Sequence, residues 1–500
     1  MSINQIKQSW IQSEMVNPIQ DSHEKIIEHP EIMNLIELRI HKDNYKQIIQ
    51  LADYLCIQNV DVIIDCILKI FNYDFNIINE FEDFYKLSKT IAKFENKLEL
   101  INAIDIWNNS QLKGYLLYGY IAYWDVSKVD DMANLFRNYT FNEDISRWDV
   151  SNVKNMNSMF NNSSFNQELG NWNVSNVLYM SKMFYNSGFD KNIGNWNVSN
   201  VRDMSCMFRK TEFNQPIGNW DVSSVDDMNS MFQSTLFNQP IGNWDVSRVE
   251  DMSSMFCNSD FNQDISDWQL GSLIYMNHMF MGSPFNQDIG NWDVSNVIYM
   301  NHMFYNSKFD KNIAYWDVHN VISMSSMFDR SIFNQDIGHW DVSNVEDMSS
   351  MFDRSIFNQD IGYWDVHNVI SMNNMFGFSL FNQYIGHWDV SNVEDMSSMF
   401  DRSIFNQDIG YWDVSSVNDM KHMFLECEFN QPIGHWAVYN VVNMNYMFRD
   451  SKFNQPIGDW DVSNVKTMIL MFENSPFNQD IENWNISNVS KYCAYNCLKN

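Results

Sequence analysis

"IGHWDVSNVEDMSSMFDRSIFNQDIGYWDV", residues 337–366, states one short theme almost twice, with Trp340 and Trp364 in matching places. Tryptophan also stands at 124, 148, 172, 196, 220, 244, 268, 292, 316, 388, 412, 436, 460 and 484, so every gap is 24 residues. No insertion or deletion interrupts the beat. A buried indole needs a hole of its own shape and a partner for its N–H. The fold must therefore offer that hole once per unit. A fixed period of this length marks stacked units, each packed on its neighbours.

Other columns keep the same time. Ile337 lies three residues before its Trp, Val342 two after and Val345 five after; Met348, Met351, Phe352 and Phe357 follow. The two Met columns hold 29 of 33 methionines and the two Phe columns 30 of 36 phenylalanines, which makes these residues core filler rather than a cofactor box. "HWDVS" alternates, predicting a half-buried strand with Trp340 and Val342 inward. Val345, Met348, Met351 and Phe352 fall at helical spacing and predict a short helical turn, with Ser343 and Glu346 as its capping box. Asn358, Asn382 and Asn406 share a column and predict an amide ladder between coils. The expected fold class is an α/β repeat, a solenoid of parallel strands and short helical turns behind a small, mainly helical N-terminal domain.

Residues 1–112 lack the beat and read as helical. Ile48, Leu51, Ala52 and Leu55, then Val60, Ile63, Ile64 and Ile67, make two apolar faces. Residues 100–123 are expected to cover the open core of the first coil. The repeat array is assigned to 113–489 and a C-terminal cap to 490–500, where Tyr492 and Tyr495 replace the Met columns.

Composition narrows the function classes. A formal charge of −31 and a pI near 4.5, with both parts acidic, oppose binding to phosphate backbones. Nucleic acid is not an expected partner. No run of 18 apolar residues and no signal peptide is present, and 7 scattered cysteines fit a reducing compartment. Cys493 and Cys497 have no His or Cys pair beside them to complete a zinc set. The expectation is a cytoplasmic chain without a membrane span, cofactor or metal.

The unit FNQDIxxWDVSNVxxMxxMF, spelled out in residues 333–352, resembles the BspA-like leucine-rich-repeat family, and the resemblance covers residues 121–489. It implies a leucine-rich-repeat-type solenoid in which Ile361-x-x-Trp364-x-Val366 takes the place of the Leu-x-x-Leu-x-Leu strand. Bacterial members are mostly surface proteins tied to adhesion and host contact. Related repeats occur in protists and giant DNA viruses, and for a viral chain the compartment would be the host cytoplasm. The missing signal peptide and lipid anchor depart from the surface type. "QIIQLADYLCIQNVDVIIDCI", residues 47–67, is similar to the helical part of BTB/POZ and Skp-type domains. That likeness implies dimerisation or recruitment of a cullin-type ubiquitin-ligase scaffold, although the chain before it is short for the sheet such domains carry.

Outward positions are where a solenoid meets its partners. The column after Trp supplies Asp317, Asp341, Asp365, Asp389 and Asp413, an acidic line suited to a basic ligand. An alternative is that these carboxylates bond neighbouring Ser or Asn groups. The column before Trp runs Tyr315, His339, Tyr363, His387, Tyr411 and His435, with His319 and His367 on the same face. Such a strip has the amphipathic character of protein interfaces, and its imidazoles would make binding pH-sensitive. Residues 341–364 and 389–412 are identical, however, so the alternation is equally a by-product of duplication. No phosphate loop, nucleophile elbow or asymmetric catalytic constellation appears, and an enzyme is not expected. The function expected is a non-enzymatic protein–protein interaction scaffold. The competing readings are a substrate adaptor for ubiquitin transfer and a surface adhesin.

Overall fold

A computed structural model describes residues 92–490. The chain divides into two compact units, one running to Asp130 with Glu143–Asn152, the other formed by Asp131–Asn142 and the chain from Val153 onward.

In the first unit, Asn96 caps helix α1 (Lys97–Asn109) by accepting from the Glu99 amide. Leu100, Ala103, Ile104 and Trp107 recur at three- and four-residue steps and form its buried face. Helix α2 (Gln111–Tyr118) packs back on α1, and a Cβ at Gly114 would lie 2.8 Å from the Trp107 Cα, so only glycine permits the approach. Phe94, Trp107 and Tyr118 surround the Trp124 ring at centroid distances of 5.1, 5.9 and 5.7 Å. Trp124 in turn stacks on Trp148 at 6.4 Å. An aromatic lid thus covers the first indole of the repeats.

The second unit is a register-true stack of coils. Isolated parallel bridges link the residue seven beyond each Trp to its copy in the next coil, from Asp131↔Asn155 to Asn443↔Thr467. Indoles stack in step: Trp316–Trp340 and Trp364–Trp388 are each 6.4 Å apart and nearly parallel. Each indole N–H finds its acceptor in the coil before. Trp340 Nε1 donates to the Ile313 carbonyl, and Trp364 Nε1 to that of Ile337, both at 3.1 Å. The two Phe columns run beside them, Phe352 lying 5.8 Å from Phe376 and 4.1 Å from Phe357. These rings, with the Met and Val columns, are buried.

The amide ladder is present. Asn382 N–H donates to Asn358 Oδ1 at 2.9 Å, and Asn406 N–H to Asn382 Oδ1 at 2.9 Å. Where aspartate replaces asparagine the bond survives, because the carboxylate offers the same acceptor. Asn214 N–H reaches Asp190 and Asn334 N–H reaches Asp310.

The local backbone differs from the sequence expectation. Among the described residues beyond Tyr123 there is neither a regular strand nor a helix. "HWDVS" is turn and irregular chain, and the parallel pairing falls on Asp347 instead. The helical turn expected over 345–352 is absent, and residues 348–355 are successive β-turns because the amides alternate between two destinations. Met348, Ser350, Phe352 and Arg354 donate to carbonyls of the next coil (2.7–3.1 Å), while Met351, Asp353 and Ser355 donate three residues back in their own. A helix would need every amide to turn back within the coil. Ser350 and Arg354 accordingly sit in the left-handed region, at φ +55° and +54°. For a non-glycine residue this costs about 1–2 kcal/mol, offset at both positions by an amide that reaches the neighbouring coil.

Candidate interaction surface

Each Asp after Trp sits in a tight side-chain turn, and here the capping-box reading is corrected. Ser343 does not cap a helix: its amide and hydroxyl both donate to Asp341 Oδ1, at 3.1 and 2.6 Å. Ser391 and Ser415 amides donate likewise to Asp389 and Asp413. The Ser343 hydroxyl and then its amide hold the Asp341 carboxyl below the usual range, and Ser391 does the same for Asp389. In two coils histidine replaces the serine, and His319 and His367 place Nδ1 at 2.7 and 2.8 Å from Asp317 and Asp365. The acidic line is therefore exposed, yet one oxygen of each carboxylate belongs to its own turn.

The column before Trp points into water. Tyr315, Tyr363 and Tyr411 are 89, 87 and 89% exposed, and His339, His387 and His435 are exposed between them. Among the described residues none of these six rings stacks on the next; His387 instead meets the Tyr384 ring edge-on at 5.1 Å. The surface is a row of separate aromatic posts beside fixed carboxylates.

A second asparagine column escaped the sequence reading. Asn344 Nδ2 donates to the His319 carbonyl at 2.7 Å, and Asn368 Nδ2 to that of Ser343 at 2.8 Å. Its recurrence four residues after Trp, as in the repeated "SNV", was the available signal. Another face was also missed. Asn229, Ser253, Asn277, His278, Asn301 and His302 line an open groove of about 600 Å³. The His278 and His302 rings stack at 4.7 Å, and burial lowers the pKa of both. Parallel imidazole planes cannot both contain one metal ion, so this pair is not a chelate as it stands. The duplicated "IYMNHMF", at 274–280 and 298–304, marks the groove in the sequence.

Among the described residues no group of three or more His, Cys, Asp or Glu side chains is placed to hold a metal ion. None of their helices is long and apolar enough to cross a membrane. The helices proposed at 47–67 and the cap with Cys493 and Cys497 lie outside the described residues.

The family model described as "Mycoplasma protein of unknown function, DUF285" matches residues 104–211, 186–284, 276–379, 354–452 and 403–496. The chain belongs to this family. Its five overlapping matches follow the 24-residue beat and agree with the BspA-like character of the repeat. No curated protein and no solved structure matches the DUF285 chain.

Proposed function

We propose that the chain is a non-enzymatic protein-interaction scaffold, a leucine-rich-repeat-type solenoid that docks a protein partner along the columns flanking Trp. One observation carries the reading. Tyr315, Tyr363 and Tyr411 stand almost wholly in water, on alternate coils, beside carboxylates whose positions are fixed by their own turns. Exposed tyrosine is a large apolar ring with a polar tip, the kind of anchor that dominates binding energy once a partner buries it. The carboxylates then select for a basic partner and steer its approach.

The aspartates are a poor place to test this, since changing them also opens a turn. The tyrosines are better, because removing them touches nothing in the core. A Tyr315→Ala/Tyr363→Ala/Tyr411→Ala variant should unfold with an unchanged midpoint yet lose the proteins that co-purify with the whole chain. Undiminished capture by the triple variant would overturn the proposal.

A further inference from the structure

In the segment that precedes the columns flanking Trp, four consecutive units expose an aliphatic residue in one column. Ile332, Ile356, Leu380 and Ile404 are 47, 45, 50 and 45% exposed. The stripe is bounded by charge, since Lys308 precedes it and Glu428 follows it in the same column. Its neighbours are patterned as well. Two residues earlier stand Arg330, Arg354, Phe378 and Arg402; four residues later stand Asp336, Asp360, Tyr384 and Asp408. Arg354 closes the turns, and beyond it Ile356 and Asp360 are exposed while Ser355, Phe357 and Ile361 are buried, so the Ile and Asp columns share one face with the Arg column at its edge.

Both charged columns are held in place. The Arg354 and Arg402 guanidiniums lie 4.2 and 5.0 Å from the centre of the Phe378 ring, and each is also paired within the chain, Arg354 Nε with Asp353 Oδ2 at 3.4 Å and Arg402 Nη2 with Glu426 Oε1 at 3.1 Å. Asp336, Asp360 and Asp408 each accept the amide two residues on, at 2.9 Å. The face is thus a strip of fixed arginines, a bare aliphatic stripe and a strip of fixed aspartates. Exposed apolar area of this regularity marks an interaction site.

The order of the columns says what covers it. The arginines are paired within the chain but remain 43–49% exposed, so an acidic partner would add a second contact to them and confront the aspartates, and a basic partner would do the reverse. The fitting surface carries the same columns in reversed order, at the same coil spacing, with an aromatic residue opposite Phe378 in the third coil. This chain has that surface. The geometry points to a parallel homodimer through residues 330–408, related by a twofold axis along the stack. Rotation about that axis lays the aliphatic stripes side by side and sets each arginine over the partner's aspartate column: Arg330 with Asp336, Arg354 with Asp360, Arg402 with Asp408. At the one coil where Phe378 replaces arginine, Tyr384 replaces aspartate, so the step that breaks both charge columns is matched too. The interface is isologous, self-complementary and preorganised.

Sedimentation of the purified full chain across a concentration series tests this. A species of twice the 59.3 kDa chain mass is expected. The exposed-site variant Ile356→Glu/Leu380→Glu should weaken self-association at least about thirtyfold, with an unchanged circular dichroism spectrum. Arg354→Glu and Asp360→Arg should each weaken it, and the two together should restore it, a rescue that requires these columns to face each other. An Ile356→Cys chain should cross-link through residue 356 of both copies, mapped by mass spectrometry. A chain that stays monomeric, a dimer indifferent to Ile356→Glu/Leu380→Glu, charge swaps that do not compensate, or cross-links that pair 356 only with a cysteine placed at 380 would each overturn the proposal. None of these measurements depends on the tyrosine-lined face, so the two readings fail separately.

Discussion

Asp341 and Asp353 stand in the same coil, twelve residues apart, and the fold treats them in opposite ways. Asp341 faces water, receives two hydrogen bonds from Ser343 and has its pKa lowered. Asp353 belongs to a column with Asp329 and Asp401; all three side chains are largely buried, each has the arginine that follows it within 3.4–3.9 Å, and an oxygen of each has no hydrogen-bond partner. Burial pushes Asp329 up to about 7, helped by the Asp353 charge and opposed by Arg330 and Arg354. It pushes Asp401 up to about 6 and raises Asp353. One residue type therefore does two jobs. In the outer column the carboxylate is needed as an acceptor; in the inner column its charge is a burden.

The largest test of that contrast is Asp329→Leu. Leu425 and Met281 occupy the same column in other coils, so an aliphatic side chain fits. The substitution should stabilise the protein by about 1–3 kcal/mol at pH 8, because it removes a charge whose burial is penalised while Arg330, paired with it at 3.7 Å, is half-exposed and keeps its contact with water. Urea denaturation measures it, and a loss of stability would show that the arginines more than offset the burial.

A pH series sharpens the comparison next. Asp329 has a folded pKa above its unfolded one, so the native state holds the extra proton between about pH 4 and 7. Its contribution is complete below that window and is lost as pH rises through it, by at most about 1.4 kcal/mol per pH unit. Asp341 has the opposite sign: its smaller contribution is present above about pH 4 and is lost on further acidification. Asp329→Leu should flatten the neutral slope and leave the acid slope alone.

Smaller still is the effect within the outer column. Asp341→Asn keeps the acceptor oxygen and should change stability by less than about 0.5 kcal/mol. Asp341→Ala removes both Ser343 bonds and should cost about 1 kcal/mol. Equal effects from the two variants would mean that the turn contributes nothing and that the column exists for its charge alone.

The sequence discloses these environments unevenly. Trp340, Met348, Phe352 and Phe357 are legible as core because an apolar residue repeated at a fixed interval has little else to do. Asn358 is legible because a polar residue locked to the same interval must bond between coils. The backbone path was not legible. Ser343 and Glu346 spell a helix cap, but Asp341-x-Ser343 spells a side-chain turn in overlapping letters, and only the amide traffic between coils decides. That traffic also moves the pairing from Val342 to Asp347 and leaves Ser350 and Arg354 left-handed. The exposed tyrosines were found from their column, whereas His278 and His302 were passed over because they occupy a slot usually given to serine or asparagine.

Along the side of the coil from Met348 to Arg354, every second amide hands its hydrogen forward to the following winding, never back. A growing end on that side would be all givers and the opposite end all takers. Since 341–364 and 389–412 are letter for letter the same, excising 341–388 would rejoin Trp340 to an identical successor. Removal of those 48 residues would leave every remaining junction with the fit it has now.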